Sequence, residues 1–232
     1  MFMGELDSSN TALFMGYLKN LKTFPNKILL RSLKMNLSLI KLKQDMKNNS
    51  ILNSPYRTHQ ALWEAFGGGE RDFLFRTEKS IKDHSPWQIY LLSNRDPDFK
   101  RMVNKTPLNV EGYSTKDFNP KLQDHQELKF YLRANPTVKQ NKKRHCLVLE
   151  EDLIGWIRRK GEAHGFFPES ISLRNKMRYK SYPKEKPPIS HWGIDFEGIL
   201  LIRDLSLFVE ALRNGLGSAK AFGFGLLSVM RP

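Results

Sequence analysis

The stretch MNLSLIKLK, residues 35–43, begins the regular part of the sequence. Its apolar positions Leu37, Leu39 (with Ile40) and Leu42 follow a period close to two, which is typical of a β-strand. A polar loop separates this strand from NSPYRTHQALWEAF, residues 53–66, which predicts an amphipathic helix over about 54–66. The stretches DFLFRTEKS (72–80) and WQIYLLSN (87–94) predict two further strands. The order is therefore β-α-β-β, three-quarters of a ferredoxin-like unit.

The second half of the sequence repeats this order. Strands are predicted in ELKFYLRANPTVKQ (127–140, ending near Asn135-Pro136), RHCLVL (144–149), GIDFEGILLIRD (193–204) and GFGLLSVM (223–230). Helices are predicted in EEDLIGWIRRKGEAHGF (150–166) and LSLFVEALRNGLG (205–217). We therefore predict an α+β protein built from two tandem ferredoxin-like βαββαβ domains.

Three segments follow from this pattern. Residues 1–34 have an irregular apolar pattern and are interpreted as an N-terminal extension outside the fold; an ordinary helix that packs on the first domain is the alternative. Residues 35–126 form the N-terminal domain, and residues 127–232 form the C-terminal domain. Within the first domain, residues 95–126 are polar and contain three prolines, so we expect a long connection with little regular structure.

The amino-acid composition limits the kinds of partner that the protein is expected to bind. The chain has 232 residues and a formal net charge of +14. Such an excess of Lys and Arg favours a polyanion, most often nucleic acid. A membrane surface is the rival, but we find no basic amphipathic helix, lipidation motif or long apolar run, so no membrane partner is expected. The single cysteine, Cys146, excludes an intrachain disulfide and fits a reducing cytoplasm. No Cys or His cluster has zinc-site spacing, so we expect no metal and no cofactor, although ligands from distant residues stay possible.

The helix at 54–66 carries the first candidate site. Ser54 and Pro55 suit its N-cap and first position, and Tyr56 and His59 share one face close to its N-terminus. A lone histidine on an apolar stripe is more often a core residue that hydrogen-bonds to a backbone carbonyl. A helix N-terminus also favours phosphate, however, and histidine can move either proton in RNA cleavage. Both interpretations stay open at this point.

A glycine-rich stretch, GLGSAKAFGFGLLSV (215–229), is the second candidate. Gly215, Gly217, Gly223 and Gly225 surround Lys220 and allow positive φ and close backbone approach to a ligand. The spacing fits neither a Walker nor a Rossmann motif. The alternatives are a helix C-cap with a tight turn and a loop that lies along an RNA strand.

Basic segments form the third candidate. Residues 174–186 mix basic side chains with Tyr179 and Tyr182, a composition that suits phosphate contact and base stacking. Residues 139–144 form a second basic cluster, predicted at a hairpin tip; a solvated surface is the alternative for both. We assign RNA binding to Arg71, Arg133, Lys142, Lys143, Arg144, Arg174, Lys176, Arg178, Lys180, Gly215, Gly217, Lys220, Gly223 and Gly225.

Five stretches occur in an order that resembles a known family: YRTHQALWEAF, RDFLFRTEK, FYLRANPT, DFEGILLIRD and GLGSAKAFGFGLLS. They resemble the CasE-type endoribonucleases of type I-E CRISPR systems over about residues 35–231. The ordered set, especially LRANP with the glycine-rich loop, is more specific than any single piece.

The resemblance implies RAMP-superfamily domains and metal-independent cleavage of precursor CRISPR RNA at the 3′ base of its repeat stem-loop. It implies a 2′,3′-cyclic phosphate and a 5′-hydroxyl as products. It also implies that the protein keeps the RNA and joins other Cascade subunits in a prokaryotic cytoplasm, and is a monomer outside that complex. The family's Tyr-x-x-His falls on Tyr56 and His59 as catalytic residues, and its groove-entering basic hairpin falls within 174–186. Arg71 and Lys220 are expected, from position alone, to stabilise the phosphorane. The alternatives are a non-catalytic RNA-binding RAMP subunit and, less favoured, a metal-dependent nuclease.

Overall fold

The computed structural model describes residues 35–79, 86–181 and 189–232, which fall within one compact unit. The predicted N-terminal extension, residues 1–34, lies outside the described residues. So do Tyr182, Lys184 and Lys186 of the basic segment.

The first domain is a complete βαββαβ unit. Its antiparallel sheet has the strand order β2-β3-β1-β4, with β1 in the centre beside β3. Helices pack on one face, where Leu62, Phe75 and Ile89 belong to a buried core. The elements are β1 (Met35–Leu42), α1 (Met46–Leu52), α2 (Pro55–Trp63), a 3₁₀ turn (Glu64–Phe66), β2 (Phe73–Glu78), β3 (Trp87–Ser93), α3 (Phe99–Lys105) and β4 (Val110–Phe118).

The second domain has the same topology, with strand order β10-β5-β9-β8. A two-stranded hairpin, β6–β7, is inserted between β5 and α4. The elements are β5 (Glu127–Ala134), β6 (Thr137–Gln140), β7 (Lys143–Cys146), α4 (Glu150–Ala163), β8 (Phe166–Ser181), β9 (Ile189–Ile202), α5 (Leu205–Asn214), a 3₁₀ turn (Lys220–Phe222) and β10 (Leu227–Met230). The predicted fold class of two tandem ferredoxin-like domains is confirmed.

The expectation of little regular structure over residues 95–126 is wrong, because α3 and β4 lie there. Helix α3 has seven residues and begins after Asp98, whose side chain accepts a hydrogen bond from the Arg101 N–H. Strand β4 pairs with β1 on one side, and most of its residues are exposed. A short helix and an exposed edge strand lack the apolar periodicity that sequence patterns detect.

The predictions around the basic segments also need correction. Residues 174–181, for which no strand was predicted, belong to β8, a strand of 16 residues that pairs with β9 through two shifts of register. Polar residues occupy both faces of the distal part of β8, which hides its strand character. The strand predicted over 144–149 ends at Cys146, and it pairs with β6 rather than with the main sheet.

Candidate active site

Helix α2 begins as its sequence predicts. The Ser54 side chain accepts a hydrogen bond from the Arg57 N–H at 3.5 Å, and Pro55 occupies the first turn. The buried Thr58 hydroxyl donates to the Ile51 carbonyl at 3.0 Å, which fixes α2 against α1. Leu62 is fully buried in the core. The packing of this face also orients the side chain of His59, which lies one turn earlier in the helix.

The His59 imidazole lies among aromatic rings. Its centroid is 5.5 Å from that of Phe73, with the rings 24° apart, and 5.3 Å from that of Trp63. Its Nε2 atom is buried, and no described residue accepts or donates a hydrogen bond there. Burial, together with the charge of Arg71, lowers the pKa of His59 to about 4. The imidazole is therefore neutral at pH 7 and lacks the carbonyl partner that a core histidine usually has.

Tyr56 lies one turn before His59 and is half-buried. Its phenol oxygen accepts a hydrogen bond from the Gln60 amide at 3.2 Å. Within the described part of the chain, no hydrogen bond joins Tyr56 to His59. The phenol is thus held by its own helix and does not orient the imidazole directly.

Two cations predicted from position lie beside His59. Arg71 donates to the Phe73 carbonyl at 3.1 Å, which places its guanidinium near the ring that stacks on His59. Lys220 begins a 3₁₀ turn that packs against α2. Burial lowers the pKa of Lys220, and the charges of Arg71 and Lys160 lower it further. The structure therefore brings His59, Arg71 and Lys220 together at one site.

The glycine-rich loop docks on β2 beneath this site. All four glycines singled out in the sequence have positive φ, between 69° and 88°. Gly215 is the C-cap of α5, as one of the two sequence interpretations predicts. A Cβ at Gly223 would lie 3.0 Å from the Phe75 ring, and one at Gly225 would lie 2.6 Å from the Leu216 carbonyl oxygen. These glycines therefore serve the packing of the loop; contact with an RNA strand stays a prediction.

Asn135, in the LRANP stretch, anchors the glycine-rich loop and was missed by sequence reasoning. Its side-chain amide donates to the Ser218 hydroxyl at 3.3 Å, and that hydroxyl donates to the Asn135 carbonyl at 3.1 Å. Its side-chain oxygen accepts from the Trp192 N–H at 3.3 Å. One buried amide thus ties the loop to β9. The LRANP stretch was the sequence signal that could have identified Asn135, but we assigned a function only to Arg133 within it.

The structure gives Arg133 a different place from the predicted RNA surface. Its guanidinium makes a bidentate ion pair with the buried Asp195, at 2.7 and 3.0 Å. It also donates to the Thr77 carbonyl at 2.7 Å and to Glu78 at 3.3 Å, both on β2. The side chain is 11% exposed. Because its donors face β2 and β9, Arg133 joins the two sheets and is engaged within the protein; RNA binding by Arg133 stays a prediction.

The remaining basic residues lie on two hairpins. Asn141 and Lys142 form the β6–β7 turn at φ 48° and 63°, which confirms the predicted hairpin tip. Lys142, Lys143 and Arg144 are exposed and have no ion pair within the described ranges. On β8, Arg174 pairs with Glu197, Lys176 donates to the Val148 carbonyl, and Arg178 donates to the Ser190 hydroxyl. Lys180 is exposed on the same strand. RNA binding by these residues stays a prediction.

Two other kinds of site do not occur over residues 35–79, 86–181 and 189–232. No group of three or more His, Cys, Asp or Glu side chains is arranged to hold a metal ion. No described helix combines the length and apolar character that crossing a membrane requires.

Comparisons with known proteins agree with this geometry. A family model described as "CRISPR associated protein" matches residues 35–231. The chain is 30% identical over 190 residues to the CRISPR system Cascade subunit CasE of Escherichia coli, covering 75% of this chain and 90% of that protein. It is 29% identical over 199 residues to the CRISPR-associated endoribonuclease Cse3 of Thermus thermophilus, covering 77% and 90%. A structure of Thermus thermophilus Cse3 bound to an RNA representing a pre-cleavage complex matches with a TM-score of 0.74 and 26% identity, over 85% of this chain and 99% of that one.

Proposed function

Because this chain belongs to the family of CRISPR-associated proteins that includes CasE and Cse3, we propose that it is an endoribonuclease that processes precursor CRISPR RNA. The substrate is the repeat stem-loop, cut at the 3′ base of the hairpin. One observation carries the proposal: His59 presents an unpaired, neutral imidazole beside the cations Arg71 and Lys220. The net charge of +14 provides the wider surface for RNA.

His59 acts as the general base in this proposal. A neutral imidazole can accept the proton of the 2′-hydroxyl, and the 2′-oxygen then attacks the phosphorus. The bond from phosphorus to the 5′-oxygen breaks, and that oxygen takes a proton. The products are a 2′,3′-cyclic phosphate and a 5′-hydroxyl. A pKa of about 4 in the free chain supports the base role over the acid role, since an imidazolium is scarce at neutral pH.

Arg71 and Lys220 stabilise the charge on the phosphorane. Both are basic side chains, and both lie against the wall that holds His59. A lowered pKa also makes the Lys220 ammonium a stronger acid, so Lys220 can supply the proton to the 5′-oxygen. Tyr56, whose phenol is held by Gln60, contacts the phosphate or the ribose. These groups supply both proton transfers and the charge stabilisation, so the reaction needs no metal ion.

The stem-loop binds through the two basic hairpins, β6–β7 and β8–β9. The exposed β6–β7 tip has three cations with no ion pair in the described part of the chain, and Lys180 is exposed on β8. We assign groove entry to the hairpin within residues 174–186, as the resemblance implies, and backbone contact to the β6–β7 tip. The product RNA stays bound, and the protein, a monomer on its own, joins other Cascade subunits in the cytoplasm.

The test is cleavage of a repeat-hairpin RNA by wild type and by His59→Ala in the presence of EDTA. Wild type is expected to cut, and His59→Ala is expected to bind the hairpin and to cut ~10²–10⁴-fold more slowly. His125→Asn is the matched control, because His125 is exposed, lies outside the site and has a φ of 61° that Asn tolerates. Normal cutting by His59→Ala would exclude His59 as the base. Loss of all cutting in EDTA would identify a metal-dependent nuclease instead.

A non-catalytic RNA-binding subunit is the second candidate. The stacking of His59 on Phe73 favours it, because such packing is also that of a structural histidine. This candidate predicts tight hairpin binding with no cutting by wild type. An RNA with a 2′-deoxy sugar at the cut site separates the two further: the endoribonuclease binds it and leaves it intact.

A further inference from the structure

A second group of polar residues adjoins the active site on the side away from His59. Lys160 and His164 lie in the last turn and at the C-cap of α4, and Lys220 reaches them from the glycine-rich loop. The two elements are in direct contact, because a Cβ added at Gly217 would lie 3.0 Å from Trp156 of α4. The Lys160 ammonium lies 5.9 Å from the same indole ring. Packing of the loop on α4 therefore brings the element that carries Lys220 beside the helix end that carries Lys160.

Lys220 interacts electrostatically both with the active-site cation Arg71 and with Lys160 of the second group. Arg71 acts electrostatically on His59 and on Lys220, whereas Lys160 acts on Lys220 and on His164. In the described part of the chain, none of the three cations has an ion pair with a carboxylate. Three cations without an ion pair repel one another, with Lys160 and Lys220 half-buried and Arg71 exposed, and this arrangement favours a bound anion.

His164 is the imidazole member of this second group. Lys160 on its own helix, Lys220 on the glycine-rich loop and Glu210 on α5 act on it electrostatically. Burial lowers the pKa of His164, the two lysines lower it further, and Glu210 opposes them. An imidazole near two ammonium groups offers an N–H donor at a position where the local charge is positive.

We propose that Lys160, His164 and Lys220 form a second phosphate subsite, which holds the backbone phosphate next to the scissile one. The inference rests on the proposed function, since His59, Arg71 and Lys220 hold the scissile phosphate. Lys220 is shared, so two successive phosphates lie on its two sides. The subsite holds the RNA strand along the glycine-rich loop and thereby determines which phosphate reaches His59.

The test measures binding of a repeat-hairpin RNA that carries a 2′-deoxy sugar at the cut site. Lys160→Gln is compared with wild type and with Lys100→Gln, an exposed lysine of α3 outside the site. Loss of one phosphate contact is expected to reduce the slope of log Kd against log salt by about 1 in Lys160→Gln and to leave it unchanged in Lys100→Gln. Equal slopes in the two variants would overturn the proposal.

A neutral methylphosphonate at either phosphate that flanks the cut identifies the occupant. At one of the two positions, the methylphosphonate should weaken RNA binding by wild type. At that same position it should not weaken the binding of Lys160→Gln any further, because the contact is already lost. Additive losses at both positions would exclude the subsite. If wild type binds the hairpin but never cuts its all-ribose form, the proposed function fails, and these binding measurements still decide the subsite.

Proton uptake gives a separate test of His164. A phosphate anion between the lysines raises the pKa of His164 in the complex, so wild-type affinity should increase as the pH falls from 7.5 toward 6. His164→Gln should lose part of this increase while keeping the salt slope of the Lys100→Gln control. An unchanged pH dependence in His164→Gln would remove His164 from the subsite.

Discussion

Replacing Asp195 with Ala tests the ion pair that holds Arg133, the residue whose contacts with β2 join the two sheets. Asp195 is 1% exposed and accepts two hydrogen bonds from Arg133, at 2.7 and 3.0 Å, and one from the Asn175 amide at 3.0 Å. Removal of one member of a buried pair typically costs 3–5 kcal/mol, because the other charge stays buried without its partner. Arg133 keeps Glu78 and the Thr77 carbonyl, so we expect the lower end, about 3 kcal/mol.

The matched control is Glu197→Ala, on the same strand two residues further along. Glu197 pairs with Arg174, whose side chain is 64% exposed. An exposed pair of this kind contributes at most about 1 kcal/mol. Urea unfolding followed by tryptophan fluorescence gives the difference in unfolding free energy between each variant and wild type. The double variant Arg133→Met/Asp195→Ala should recover much of the loss, since it removes the unpaired charge.

The reasoning would be refuted if Asp195→Ala lost no more unfolding free energy than Glu197→Ala. The same network has a consequence for catalysis, because Arg133 holds β2 through Thr77 and Glu78. Strand β2 carries Phe73, on which His59 stacks. We therefore expect Asp195→Ala to cut repeat RNA more slowly than Glu197→Ala at temperatures where both are folded.

Three further predictions concern separate parts of the chain. The pKa of His59 falls from 6.5 to about 4 on folding, so the unfolded chain takes up a proton between these values and the folded chain does not. The free energy of unfolding should therefore fall as the pH drops from 6.5 to about 4. Urea unfolding of His59→Leu should show a smaller fall than that of wild type over the same pH range. Gly225→Ala should lose about 1–2 kcal/mol or more, measured as a lower Tm, because φ is 88° and its Cβ would meet the Leu216 carbonyl. Lys142→Gln/Lys143→Gln should weaken hairpin binding and reduce the salt slope by about 2, with the cleavage rate at saturating RNA unchanged.

The sequence was informative wherever local physics decides the structure. The cap at Ser54 and Pro55 predicts the start of α2, and the apolar pattern of β1 and β2 predicts two strands. The pattern does not predict which side chains are buried, because Ser38 and Arg76 are buried whereas Leu37 and Leu39 are half-buried. Strand β4 could not be predicted in this way, because an exposed edge strand has no apolar alternation to detect. The role of Arg133 was equally hidden, since its partners Asp195 and Glu78 are 62 and 55 residues away along the chain. Such partners become neighbours only through the strand order of the two sheets.

The two sequence interpretations of His59, a core residue and a catalytic residue that moves a proton, are compatible with the same contacts. Stacking on Phe73 and Trp63 removes water from the imidazole, as it would in a core. That loss of water is the largest cause of the lowered pKa, and Arg71 adds to it. A neutral imidazole is the form that accepts a proton, so the packing prepares the base. An RNA phosphate beside Arg71 offsets the positive charge and raises the pKa of His59 toward neutrality, where proton transfer is more favourable. In the proposed mechanism, the packing of the aromatic face of α2 is therefore what keeps His59 in the form that accepts a proton.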